Sequence, residues 1–174
     1  MKRTHTTARR LLFAFALGLF AIGCDDIVED SSFQLWCGDT PCAWQVEAGR
    51  VAQAPTWHAS DYGVALIDDP TAISQLVPRD RLGYGCMQFE VIASNERGSE
   101  LRLELDFDDD GVLELERTLD QSDFETDVFY VGVPDELEGG LRVRLVKYGP
   151  GRAVIAQLRV QRALEEEGCL GPSP

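Results

Sequence analysis

Along most of this chain, apolar and polar residues alternate one for one. Leu101, Leu103, Leu105 and Phe107 fall on one side of a pleated strand, and Arg102, Glu104 and Asp106 on the other. Leu141, Val143 and Leu145 alternate in the same way with Arg142 and Arg144. Val154, Ala156, Leu158 and Val160 alternate with Gln157, Arg159 and Gln161. A period of two with one apolar face predicts half-buried β-strands. Asp108-Asp109-Asp110-Gly111 reads as a turn, after which Leu113 and Leu115 alternate with Glu114 and Glu116. This predicts a hairpin with one buried face. Further strands are predicted over Ala43–Glu47, Arg50–Ala54, Val64–Asp68, Ile73–Val77, Cys86–Ala93 and Asp127–Val133. Breaks fall at Pro55, Asp69-Pro70, Pro78, Asn95–Gly98, Pro134, Gly139-Gly140 and Gly149-Pro150-Gly151. No apolar stripe of helical period and helix length precedes the tail, where Ala163–Glu167 has room for one turn. About ten short antiparallel strands predict an all-β, antiparallel two-sheet β-sandwich.

The first residues break this pattern. Met1–Arg10 is basic, and Leu11–Ile22 is apolar throughout apart from Gly18. A basic stretch followed by a short apolar run is the pattern of a secretory signal. The run is too short to span about 30 Å of hydrocarbon as a helix, which takes about 20 residues. Residues 1–23 are therefore read as a signal peptide. Asp25–Ser32 (DDIVEDSS) reads as an acidic tether reaching at most about 26 Å, with the sandwich over 33–174.

Charge narrows the partners. The chain has 174 residues and a net charge of −14. The first 23 residues hold four bases and no acid, which leaves twelve bases against thirty acids, a net −18, in the rest. Such a surface repels phosphate backbones and argues against nucleic-acid binding. With Cys24 set aside, Cys37, Cys42, Cys86 and Cys169 remain, an even number. In a translocated chain this predicts two disulfides. The turn-like Gly38-Asp39-Thr40-Pro41 between the first two favours Cys37–Cys42 with Cys86–Cys169. A four-thiolate zinc site lacks the second paired knuckle that its spacing needs.

Two resemblances follow from quoted residues. Ala21-Ile22-Gly23-Cys24, behind the apolar run, resembles the lipobox of bacterial lipoproteins, with Ala21 where Leu is commonest. The resemblance implies cleavage before Cys24, lipidation of its thiol and anchoring in a bacterial membrane on the extracytoplasmic side. The second lies in the body. Ala43-Trp44-Gln45-Val46-Glu47-Ala48-Gly49-Arg50-Val51 is followed by Pro55-Thr56-Trp57-His58, then Asp61-Tyr62-Gly63-Val64-Ala65-Leu66, with a late Lys147-Tyr148-Gly149-Pro150-Gly151. This order resembles the jelly rolls of the galactose-binding-like and carbohydrate-binding-module class. It implies a jelly-roll sandwich, and it does not by itself carry a ligand across.

Two loops are candidate sites. Asp106, Asp108, Asp110 and Glu114 stand at positions 1, 3, 5 and 9 of a loop with Gly111 at position 6, similar to the calcium loops of EF-hands and integrin-type repeats. Calcium takes six to eight oxygens, and alternating acids around a glycine turn can supply several. The EF-hand version fails because Arg117 stands where a bidentate acid belongs and no helices flank the loop. The loop would serve equally as a solvated turn. In the second, Trp57, His58, Asp61 and Tyr62 crowd a connection between strands. There the rings can stack on a sugar face while Asp61 and His58 bond its hydroxyls. The alternative is that Trp57 and Tyr62 pack over the sandwich edge, with His58 and Asp61 as a hydrogen-bonded pair.

Catalytic signatures are scarce. Outside the signal, His58 is the sole histidine, no G-x-S-x-G is present, and no glycine-rich loop precedes a helix. The sequence thus points to a membrane-anchored lipoprotein acting as a non-enzymatic binding or structural module for carbohydrate or cell-envelope glycan. An envelope assembly factor that binds protein is the main alternative, and a small hydrolase relying on His58 a weaker one.

Overall fold

The alternating segments pair as antiparallel strands in two facing five-stranded sheets. The structure is a computed structural model and describes residues 26–58, 60–163 and 169. The predicted signal segment, Cys24 and residues 164–167 of the predicted tail turn lie outside the described residues. The strands are β1 (Trp36–Cys37), β2 (Thr40–Pro41), β3 (Gln45–Ala48), β4 (Val51–Pro55), β5 (Tyr62–Leu66), β6 (Thr71–Val77), β7 (Gly85–Asn95), β8 (Glu100–Phe107), β9 (Leu115–Leu119), β10 (Glu125–Val133), β11 (Leu141–Tyr148) and β12 (Ala153–Arg162). One helical turn, α1 (Arg79–Leu82), follows Pro78 where the sequence marked only a break. One sheet runs β10-β7-β12-β5-β4, the other β3-β6-β11-β8-β9, and β1–β2 is a separate small hairpin.

The core lies between the sheets. Met87, Phe89 and Val91 of β7 and Leu158 and Val160 of β12 face inward from the first sheet, all fully buried. Leu101, Leu103 and Leu105 of β8 and Leu141, Val143 and Leu145 of β11 meet them from the second, in direct register as Leu145↔Leu103 and Val143↔Leu105. Phe89 stacks on Phe129 at 5.2 Å. Between the edge strands β9 and β10, Arg117 bonds both carboxylate oxygens of Asp127 and lies 4.6 Å over the Phe129 ring. Both disulfides, Cys37–Cys42 and Cys86–Cys169, are formed.

Three expectations change. The predicted tether is part of the domain: Ile27 and Val28 are 5% and 3% exposed. Along the half of β12 that β5 does not reach, this strap takes the neighbouring place. Ile27 N donates to Val160 O at 2.7 Å, Val160 N to the Asp26 carboxylate at 2.9 Å, and Leu158 N to Ser31 O at 2.8 Å. Its acidic composition masked two adjacent apolar residues that fill a gap in the sheet.

Leu113 is exposed, because β9 begins only at Leu115 and the loop before it bulges into solvent.

The outer face of β8 is not a solvated row either. Glu104 and Asp106 are 3% and 4% exposed, roofed by neighbouring side chains. Arg144 bonds both Glu104 and Glu47, and Arg102 bonds Glu100 and Glu116. Burial pushes the Glu104 carboxyl above the usual range against the pull of Arg144, and Glu116 directly opposite adds like-charge repulsion. Burial also raises Glu47, but bonds from Ser74 and Arg144 outweigh it and hold that group below the range.

Candidate functional site

The β4–β5 connection is a short loop closed on itself. Thr56 N and its hydroxyl both donate to Asp61 O, at 3.1 and 3.2 Å, and Asp61 N donates to His58 O at 3.0 Å. The loop lifts Trp57 clear of the sheet, where its ring rests 5.6 Å from Phe124 and 5.4 Å from His58. Trp57 nevertheless remains 48% exposed and Tyr62 46%. These are large apolar areas to leave in water in a sandwich that buries its other tryptophans wholly or in part. Ser60 Oγ donates to the Asp61 carboxylate at 3.1 Å. The Asp61 carboxylate thus bonds Ser60 and not His58, the partner of the alternative reading.

The strap builds the opposite wall. Its Asp30 carboxylate accepts from the amides of Gln34 and Leu35, at 2.8 and 3.0 Å. Phe33, fully buried with φ 55°, plugs the turn into the core against Trp44 at 5.2 Å. That anchored turn aims Gln34 across the gap, where its amide donates to Tyr62 O at 2.5 Å and Ser32 O at 2.8 Å. The floor is Ala156 and Gln157, at the bulge where the β12 register shifts between Ile155 and Gln157. Gly63 allows it: a Cβ there would lie 2.2 Å from Ile155 O. Together these parts border an open cavity of about 320 Å³ lined by Ser32, Gln34, Thr56, Trp57, Asp61, Tyr62, Ala156 and Gln157.

Three of the four sequence-predicted residues, Trp57, Asp61 and Tyr62, share this cavity, while His58, its ring 5.4 Å from that of Trp57, does not line it. Gln34, Ser32, Thr56 and Gln157 were missed. The first two lay in or beside the supposed tether, and Gln157 stood in a strand of ordinary alternation. The lining offers two aromatic faces, one carboxylate and several neutral amide and hydroxyl groups, and no cation. That is the equipment for holding a neutral, hydroxyl-rich, partly apolar molecule.

The acidic loop is differently organised. The Asp106 carboxylate accepts from the amides of Asp110 and Gly111, at 3.1 and 2.9 Å. Asp108 accepts from Glu138 and Gly139, Asp110 from Val112 at 2.8 Å, and Glu114 from Phe107 N at 2.8 Å. Asp109 pairs with Arg142. Each carboxylate thus closes a turn with backbone donors or an arginine. Among the described residues no three Asp, Glu, His or Cys side chains gather to hold a metal ion, and the Asp106, Asp108, Asp110 and Glu114 carboxylates of the expected calcium loop each accept from backbone amides. The repulsion that a cation would relieve is already relieved by the hydrogen bonds of a glycine turn.

No protein-family model matches the chain, and no curated protein matches it by sequence. Its fold does match solved structures. A family 16 carbohydrate-binding module superposes with a TM-score of 0.61 at 9% identity, over 79% of this chain and 100% of that one. TmCBM61, solved in complex with β-1,4-galactotriose, superposes with a TM-score of 0.55 at 19% identity, over 80% of this chain and 99% of that one. The enzymatically active domain of tailspike protein 4 from bacteriophage CBA120 gives a TM-score of 0.58 at 13% identity, over 78% of this chain but 21% of that one. These likenesses establish the fold as the all-β sandwich of carbohydrate-binding modules.

Proposed function

We propose that this protein is a non-enzymatic carbohydrate-binding module, held on the extracytoplasmic side of a bacterial membrane by lipid on Cys24, and that it binds a saccharide of the cell envelope between Trp57 and Tyr62. One observation carries the reading: a cavity with two half-exposed rings on one side and the Asp61, Gln34 and Gln157 side chains around it. A pyranose has one apolar face, which stacks on an indole or phenol, and equatorial hydroxyls that need acceptors and donors at its rim. TmCBM61 was solved with a galactotriose, and its fold is shared by this chain, which supports saccharide as the ligand class. The catalytic alternatives find little material here. His58 lies outside the cavity, and Asp61 has no second carboxylate among the lining residues to act as its partner in glycoside hydrolysis.

A glycan array followed by calorimetry tests this. A saccharide that binds the native protein should bind Trp57→Ala at least about tenfold more weakly, a loss of about 1.4 kcal/mol, with an unchanged circular dichroism spectrum. If no glycan binds, while an envelope protein is captured equally by the native chain and by Trp57→Ala, the saccharide reading gives way to the assembly-factor one.

A further inference from the structure

The strap leaves almost no slack between the sandwich and whatever precedes it. Asp26 and Ile27 are bonded to Val160, two residues from the end of β12, and Glu29 pairs with Arg81 of α1 at 2.9 Å. The apolar run Leu11–Ile22 and Cys24 come immediately before, with Asp25 alone between Cys24 and the fixed Asp26. That interval reaches about 7 Å at full extension.

The sandwich end at which the chain enters differs from the opposite one. It is built from Arg162, the turn after α1, the 134–140 loop and the 108–114 loop. These are contiguous: Arg162, Tyr84 and Leu137 line one cleft, and Asp108 accepts from the amides of Glu138 and Gly139. Tyr84 is 77% exposed there, Val112 58% and Leu113 42%. At the opposite end, the loops over 67–70, 96–99, 120–123 and 149–152 carry no exposed large hydrophobic side chain.

We infer that the entry end of the sandwich is a bilayer-facing surface, seated on the membrane with Tyr84, Val112 and Leu113 at headgroup level. The inference rests on the lipid anchoring proposed above. Tyrosine favours the interface because its ring is apolar and its hydroxyl wet. Asp80, Asp135, Glu136 and Glu138 outnumber Arg79 and Arg162 around the same cleft, where Arg79 lies over the Tyr84 ring, and this net acidic lining makes the partner a zwitterionic bilayer and not an anionic one. Three side chains on an acidic rim do not hold a protein to lipid alone. They orient a domain that the anchor has already delivered. The strands then stand away from the membrane, and the polar loops at their far end lie about 30 Å out.

The test uses the mature protein in phosphatidylcholine vesicles containing a headgroup-nitroxide lipid. A fluorophore is attached at Val112→Cys in one sample and at Arg97→Cys, in a far-end loop, in another. The label at 112 should be quenched severalfold more than the label at 97. Equal or reversed quenching in protein whose intact mass shows an acylated Cys24 overturns the orientation and leaves the anchoring standing. An unmodified Cys24 overturns both.

Discussion

Lys147 is the most exacting test of how this sandwich holds together. It belongs to the inner face of β11, in register with Leu101 and Thr71, and is 1% exposed. Its ammonium donates to Ile67 O at 3.2 Å, Asp68 O at 3.0 Å and Gly149 O at 2.5 Å. Three protons meet three carbonyls, so the charge is fully solvated by backbone and ties the β5–β6 connection to the turn after β11. Lys147→Met keeps the length and removes the donors. Asp68 O retains a donor in the Thr71 hydroxyl at 2.8 Å, so two carbonyls lose their side-chain partner. At about 1–3 kcal/mol for each buried unsatisfied group the gross loss is about 2–6 kcal/mol, and removal of the buried charge's own desolvation cost trims it. The expected net loss is about 3–4 kcal/mol, a large share of a typical stability of about 5–15 kcal/mol. Urea unfolding followed by tryptophan fluorescence should show a lower midpoint with an unchanged slope. A loss below about 1 kcal/mol would mean that the two carbonyls left without a donor are readily rehydrated, and the argument from convergent bonding would be wrong.

Three further outcomes follow from the same structure. Phe33→Ala empties a fully buried site against Trp44 and should cost about 3–5 kcal/mol in urea unfolding, whereas a residue bordering a free tether would cost under about 0.5 kcal/mol. Glu104→Gln isolates the carboxyl that burial has raised. Because that group binds its proton more tightly folded than unfolded, the native protein should gain stability relative to Glu104→Gln as pH falls through the raised value, levelling off below about 4.3. A carboxylate held low away from Glu104, such as Asp109 on Arg142, loses its contribution in acid in both proteins and cancels from the comparison, so a flat or inverted difference refutes the assignment. Gly63→Ala places a methyl 2.2 Å from Ile155 O and must part β5 from β12, at about 1–3 kcal/mol. Calorimetry should then show weaker glycan binding, since the cavity floor moves with β12.

The sandwich itself was legible because antiparallel strands with one buried face print their geometry directly as a period of two. The Leu101–Phe107 and Leu141–Leu145 runs are read without ambiguity and pair as neighbours. Cysteine parity and one turn-like spacer sufficed for the disulfides. Alternation identifies a face, however, and is silent about what covers it. The Arg and Glu rows of β8 and β11 look solvated in sequence, yet long arginines laid across the strands bury Glu104 beneath them. The acidic loop is ambiguous in sequence for a related reason. Calcium ligands and turn-closing carboxylates use the same residues at the same spacing, and only the positions of the backbone amides distinguish them.

The strap shows why the candidate site was only half visible. A period-two search cannot see Ile27, Val28 and Phe33, because they enter the core through turns, with Asp30 and Phe33 at positive φ, and not along a strand. Their acidic neighbours supply capping bonds: Asp26 to Val160 N and Asp30 to the amides of Gln34 and Leu35. Composition alone reads such carboxylates as solvated charge. The same turns that escape the search place Gln34 and Ser32 beside Trp57 and Tyr62, so the cavity has one wall from a recognisable loop and one that runs from the last residue of the expected tether into the first turn of the sandwich. A segment that completes a sheet, walls a cavity and fixes where the preceding chain meets the domain cannot be shortened or made flexible without disturbing all three.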